Sequence, residues 1–278
     1  MANSFDKRIT PARADLAAAS LQGKVEAARF VAGEDASIAV GRASLRAAPS
    51  AEAAQDTELL HGERVTVYER KDGWAWVQAH NDSYVGYLRE ECLSPPYPVQ
   101  LQISALMTPV FSRPDLKSPV RDMLPLTAEV NLLGREGDYL QIAPGAWVHQ
   151  FHVALPAEVQ PDFVAVAESF FGVPYVWGGK TFAGTDCSGL IQTALAASGI
   201  RAPRDTDMME RHFADSRNDT LDRGDIVFWK GHMGVMLDEE RLLHANAFHM
   251  MTVIEPVEEA IARIEKIAGP VTSVKRAR

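Results

Sequence analysis

Only two cysteines, Cys92 and Cys187, occur in 278 residues. That is too few for a disulfide framework, and neither has the closely spaced cysteine or histidine neighbours that zinc ligation needs, so no metal and no cofactor are expected. Long hydrophobic runs are missing as well. None approaches the roughly 20 residues that cross a bilayer, and the segment Met1 to Arg8 is followed by no apolar signal core. These absences lead to the expectation of a cytoplasmic chain with no membrane partner, in a compartment that keeps thiols reduced. Positive charge is in deficit, with 28 Lys and Arg against 37 Asp and Glu, a formal net charge of −9. Nucleic acid is therefore excluded as the main partner, because phosphate contacts need a basic face.

What is present fills a globular chain, with 46% apolar residues and a length that suggests about two domains. Four segments are expected. Residues 1–35 form an N-terminal arm whose Ala-rich stretch from Asp15 to Phe30 predicts a helix. Residues 36–96 change texture to short alternating runs, such as Arg64 to Tyr68 and Trp74 to Val77, broken by Lys71-Asp72-Gly73 and Asn81-Asp82-Ser83, the grammar of a small β-barrel. After the linker Ser94 to Pro98 a similar grammar returns over 97–157, at an offset of roughly sixty residues. Of Trp74, Trp76, Tyr139 and Trp147, at strand spacing, most are expected in the barrel cores. Residues 158–278 form the fourth segment, with a helix expected over Glu258 to Ile267 and a last short strand over Val271 to Lys275.

Chemistry concentrates in that fourth segment. Cys187 directly follows a Gly-rich turn and opens a helix whose Leu190, Ile191, Ala194 and Leu195 recur at the spacing of one buried face, with Gly199 as its stop. A thiol at a helix N-terminus has its pKa drawn toward neutrality, and the N–H groups there can also hold an oxyanion. Amide hydrolysis by a thiol requires a base within reach. His232, in Lys230-Gly231-His232-Met233-Gly234-Val235, stands between two apolar strands; taken alone it would be a turn histidine bonded to backbone. His244 follows a second short strand, twelve positions on, and could orient the ring of His232.

Three blocks in this order, Pro174-Tyr175-Val176-Trp177-Gly178-Gly179 with Asp186-Cys187-Ser188-Gly189, then Arg223 to Trp229 leading into His232-Met233-Gly234-Val235, then Leu243-His244-Ala245-Asn246, resemble the NlpC-type papain-like cysteine peptidases, which cut peptidoglycan stem peptides. The two β-rich segments look like bacterial SH3-like domains. The resemblance implies an α+β fold in which a papain-like peptidase domain follows two SH3-like barrels. It implies Cys187 as nucleophile, His232 as general base and acid, and His244 as orienter. Tyr175, with the Cys187 N–H, is implied as oxyanion donor. Asp186 and Ser188 would cap the helix or line the substrate groove, and Trp177 would shape its turn. The remaining histidines, His61, His80, His149, His152, His212 and His249, match no motif and are expected on surfaces or loops.

Substrate choice follows from the same resemblance. Asp205 and Thr206, eighteen and nineteen residues past the nucleophile, match the pair that in recycling-type members holds the free α-amine of the stem peptide's L-alanine; a loop N-cap is the plainer role for both. Glu63 and Tyr84 match by motif position the acidic residue and tyrosine with which the first SH3-like domain closes that end of the groove. The expected activity is a cytoplasmic γ-D-glutamyl–diamino-acid endopeptidase acting on free peptides such as L-Ala-γ-D-Glu-diaminopimelate in cell-wall recycling. A hydrolase of intact peptidoglycan, or a catalytically silent muropeptide-binding protein, are the alternatives.

Overall fold

The computed structural model describes residues 5–156, 158, 160, 162–216 and 220–277. The chain divides into two compact units, residues 1–156 and 157–278.

The first unit is built from antiparallel strands in two modules with separate cores. In one, a seven-stranded sheet runs in the order Gln55–Leu60, Arg42–Arg46, Val85–Arg89, Trp74–Ala79, Arg64–Lys71, Glu34–Ile38, Leu93–Ser94. Its core contains Ile38, Leu45, Val65, Val77, Tyr84 and Leu88. Alternation in these strands places one side chain in two inward, as in Arg64-Val65-Thr66-Val67, where the two valines are buried. In the other module a five-stranded and a three-stranded sheet share a core of Ile103, Leu124, Val130, Ile142 and Val148. The modules are joined closely: the Gly41 N–H donates to Asp122 Oδ2 at 2.7 Å and the Glu129 N–H to the His61 carbonyl at 2.8 Å. A Cβ at Gly62, where φ is +84°, would stand 2.1 Å from the Glu129 carbonyl oxygen, so only glycine admits that approach.

The arm departs from the sequence expectation. No α-helix forms over residues 15–30; Ala17–Ala18 pair in parallel with Phe30–Val31, and a single 3-10 turn covers Ala19–Leu21. Alanine favours helix, but propensity is a weak prior and a short isolated helix is marginal; burial of Leu16, Ala17 and Ala18 decides the conformation. Arg13 anchors it. Its guanidinium lies 4.4 Å from the Trp76 ring centre and donates to Tyr87 Oη at 2.9 Å and Glu69 Oε2 at 2.6 Å, while Arg29 takes the other Glu69 oxygen at 2.6 Å. Trp74 and Trp76 are buried, but beneath the guanidinium groups of Arg89 and Arg13. Tyr139 and Trp147 are only half-buried and stand outside the second core, which corrects the expectation that most of these aromatics fill barrel interiors.

In the second unit, helices precede an antiparallel sheet. Helix α1 is Phe163–Glu168, α2 Cys187–Ala197 and α3 Thr206–His212. The sheet follows with β1 Ala214–Asp215, β2 Asp225–Trp229, β3 His232–Met236, β4 Arg241–Asn246, β5 Met251–Pro256 and, after helix α4 (Val257–Ala268), β6 Ser273–Arg276. Their order across the sheet is β1-β6-β2-β3-β4-β5. Helix α2 packs on β3 and β4, which brings its first residue to the strands that carry the histidines. It is buried on almost every side, not on one face. It ends as its sequence indicates, with Gly199 at φ +74° and the Ile200 N–H donating to the Leu195 carbonyl.

Candidate active site

Helix α2 starts where it does because of Asp186. This N-cap carboxylate accepts from the Gly189 N–H at 2.7 Å and, through its other oxygen, from the Gly178 N–H at 2.8 Å, tying the Gly-rich turn to the helix start. Both oxygens also accept from Arg204, at 3.0 and 2.8 Å, and the same guanidinium donates to Ser188 Oγ at 2.8 Å. Arg204 is 1% exposed. Its charge is tolerable there only because the carboxylate faces it in a bidentate pair. Gly189 has no substitute: a Cβ would stand 2.0 Å from the Gly179 carbonyl oxygen. Asp186 and Ser188 thus hold the nucleophile's platform, the capping role expected of them.

Cys187 is the first residue of the helix and 7% exposed. Its sulfur lies 3.8 Å from Thr206 Oγ1, and the Met233 backbone also hydrogen-bonds it. The residue before Met233 is His232, the first of β3, so the thiol lies against the start of the strand that carries that imidazole. Burial, followed by the neighbouring Asp186 carboxylate, pushes the thiol up to about 11, against the opposing pull of Thr206, Arg204 and the Met233 backbone. The lowered thiol pKa expected from the helix N-terminus is therefore reversed in the resting site. Desolvation and the adjacent Asp186 carboxylate both favour the neutral thiol, opposite to the pull of a helix N-terminus.

His232 rests against buried Trp229, with ring centres 5.8 Å apart. Its Nε2 is 2.8 Å from His244 Nδ1. His244 is fully buried, and its Nε2 lies 2.6 Å from Glu255 Oε1. Across the β4–β5 pairing His244 stands opposite Val253, which puts Glu255, two residues on, at the diagonal same-face position. Both oxygens of Glu255 accept from Arg263 on α4, one of them at 2.6 Å. Burial pushes the His232 and His244 imidazoles below their ordinary range, with Arg263 adding to the effect and Glu255 opposing it. Burial alone would raise Glu255, but the hydrogen bonds from His244 and Arg263 hold it at about 2.

These charges assign the protons. The Glu255 anion must accept, so His244 carries its hydrogen on Nε2; His244 Nδ1 then accepts, and His232 carries its hydrogen on Nε2. The lone pair of His232 Nδ1 is left to serve as a base. Asn246 Nδ2, 3.0 Å from His244 Nε2, is a packing neighbour of a proton already given to Glu255; its Oδ1 accepts from the His249 N–H at 2.8 Å.

Tyr175 lies in the strip that the Tyr175 N–H anchors to the Met250 carbonyl at 2.9 Å. Its phenol is pushed well above the usual tyrosine range, first by burial and then by Cys187 and Asp186, which places it in electrostatic reach of the sulfur and protonated, as an oxyanion donor must be. Trp177 is 67% exposed beside the Gly178 turn. Asp205 occupies the N-cap position of α3 but its side chain makes no cap hydrogen bond, so the plain N-cap role is not the one it fills. Thr206 turns its hydroxyl to the thiol. Glu63 and Tyr84 belong to the first unit; both are buried, and the Tyr84 ring is part of the core of its module. Arg204, Glu255 and Arg263 carry no motif signal, and sequence reasoning missed them. Among the described residues no group of His, Cys, Asp and Glu side chains could hold a metal ion.

A thiol at the head of a helix packed on an antiparallel sheet, with a base histidine backed by a second imidazole, defines a papain-like thiol hydrolase. Residues 172–265 match the NlpC/P60 family and residues 45–93 the bacterial dipeptidyl-peptidase Sh3 domain. The chain is a cysteine peptidase whose second unit is an NlpC/P60 domain. It is 24% identical to the γ-D-glutamyl-L-lysine dipeptidyl-peptidase of Bacillus cereus over 251 residues, 77% of this chain and 74% of that protein. It is 23% identical to the protein of the same name from Bacillus subtilis, over 73% of this chain and 77% of that protein. The crystal structure of an NlpC/P60 family protein from Bacillus cereus superposes with a TM-score of 0.74 at 19% identity, covering 88% of this chain and 99% of that one, and so shares the fold.

Proposed function

We propose that the chain hydrolyses the amide between γ-D-glutamate and the diamino acid of peptidoglycan stem peptides whose N-terminal L-alanine amine is free. The observation that carries this reading is the position of Asp205. It directly precedes Thr206, whose hydroxyl is 3.8 Å from the Cys187 sulfur, at the start of α3. A carboxylate one residue from a group that touches the nucleophile is a natural partner for a substrate ammonium, and would set the cut a fixed length from the amine. The names of the two Bacillus relatives support the same bond.

In this reading the Cys187 sulfur attacks the γ-carbonyl carbon as its proton passes to His232 Nδ1 and the carbonyl electron pair moves to oxygen, where Tyr175 and the Cys187 N–H donate to it. His232 then gives the proton to the departing amine as the C–N bond breaks, and water releases the acyl group by the reverse sequence. Burial disfavours the charged forms of both Cys187 and His232, which suits this general-base route. The proposal includes a place in the recycling of wall fragments and a cytoplasmic address, which cell fractionation tests.

The deciding experiment compares L-Ala-γ-D-Glu-diaminopimelate with the same peptide acetylated on its amine, and with intact sacculi. Turnover of the free tripeptide with at least a tenfold loss on acetylation supports the reading. Equal turnover of all three would replace it with a hydrolase of intact wall.

A further inference from the structure

We infer that Glu255, clamped by Arg263, is a positioning residue that fixes the proton order of the Cys187–His232–His244 chain. The inference rests on Cys187 and His232 as nucleophile and base, and does not depend on which peptide is cut. Its ground is geometric. His244 is fully buried between His232 Nε2 at 2.8 Å and Glu255 Oε1 at 2.6 Å, with Asn246 Nδ2 3.0 Å from the same Nε2, and has no water-facing route by which to choose its tautomer. Its proton must go to one side or the other. With an anion at Nε2 the proton stays there, His232 is forced to hold its own proton on Nε2, and its Nδ1 lone pair is free for the thiol. Without the anion the opposite order is equally open: His244 would donate from Nδ1, His232 would accept on Nε2, and the hydrogen of His232 would sit on Nδ1, where it cannot take a proton from sulfur.

Arg263 keeps the carboxylate charged and aimed. Its two terminal nitrogens grip the two Glu255 oxygens from α4, the helix that begins immediately after β5, so both halves of the clamp come from one short stretch of chain. The other charged or titratable groups acting on this cluster are His249 from the β4–β5 hairpin, which acts on His244, and Glu259 on α4, which acts on Arg263. As the thiol proton reaches His232 Nδ1, an imidazolium forms; the Glu255 anion stabilises it through His244 and is not itself protonated.

The test uses the full chain in a Cys92→Ser background, so that Cys187 is the only thiol, with Glu255→Gln and Arg263→Lys variants and ¹⁵N-histidine labelling. The expected result is a wild-type spectrum in which His232 has a protonated Nε2 and an unprotonated Nδ1. Glu255→Gln should mix the two tautomers and reduce kcat by roughly 10- to 1,000-fold with KM changed less than about threefold, as misplaced tautomers do elsewhere. Its iodoacetamide labelling of Cys187, followed from pH 6 to 10, should slow at every pH. Arg263→Lys, which keeps the charge but not the fork, should fall between. Thermal melts establish that each variant is folded under assay conditions. Wild-type tautomers and labelling rates in folded Glu255→Gln would overturn the inference. If no stem peptide is turned over by any form, the spectra and labelling still decide it, and only the substrate assignment is lost.

Discussion

Both units bury an arginine against carboxylates, and they do so to different ends. In the first unit Arg13 and Glu69 are 20% and 18% exposed and the guanidinium is also stacked on Trp76; the pair ties down an arm that has neighbouring attachments, including the Val85 N–H to the Arg8 carbonyl. In the second, Arg204 and Asp186 are 1% and 9% exposed, and the same carboxylate is the N-cap of the helix that carries the nucleophile. A pair that keeps about a fifth of its surface in water is partly screened, and is worth less than a fully buried one. A buried pair cannot lose one member without stranding the other's charge. The first unit can therefore tolerate losses that the second cannot.

The largest effect that sharpens this contrast is on chemistry. Cys187→Ala is expected to reduce peptide hydrolysis by at least about a thousandfold while leaving the melting temperature within a few degrees, since only the nucleophile is removed. Next is Arg204→Met, which strands Asp186 and should lower stability by about 3–5 kcal/mol in urea unfolding. The matching Arg13→Met substitution should cost no more than about 1 kcal/mol; comparable losses at the two positions would break the comparison.

Acid sensitivity should also belong to the second unit. His232 and His244 have pKa values held below 6.5 in the fold, and Glu255 is held at about 2 against an ordinary 4.5. In each case the unfolded chain takes up the proton first. The stability these groups give is present above their unfolded values and falls as the pH drops, from 6.5 downward for the imidazoles and between 4.5 and about 2 for the carboxylate. Urea titrations at pH 7, 5 and 3 should show this decline, with the lower part of it flattened in Glu255→Gln. The smallest effect expected is on specificity: Asp205→Asn should raise KM for the free-amine tripeptide by about tenfold and leave the acetylated peptide unaffected.

The sequence showed most clearly what is local. Asp186, the three-and-four spacing after Cys187 and Gly199 lie within fourteen residues, and together they define a capped, terminated helix. The ordered blocks around Tyr175, Cys187, His232 and His244 showed the papain-like unit. The partners that act through register were hidden. Arg204 reaches Asp186 across 18 positions, Glu255 reaches His244 only because β4 and β5 pair in one register, and Arg263 depends on where α4 begins. The arm failed for the converse reason: an alanine-rich pattern describes local preference, and the burial of Leu16 and the stacking of Arg13 overrode it. The direction of the Cys187 pKa was missed because a helix dipole can be inferred from a sequence, whereas burial beside Asp186 cannot.

The most direct measurement is mass spectrometry of L-Ala-γ-D-Glu-diaminopimelate incubated with the wild-type chain and with Cys187→Ala. The account predicts the dipeptide L-Ala-γ-D-Glu and free diaminopimelate from the wild type, and unchanged tripeptide from the variant. Dipeptide release by Cys187→Ala at the wild-type rate would contradict it.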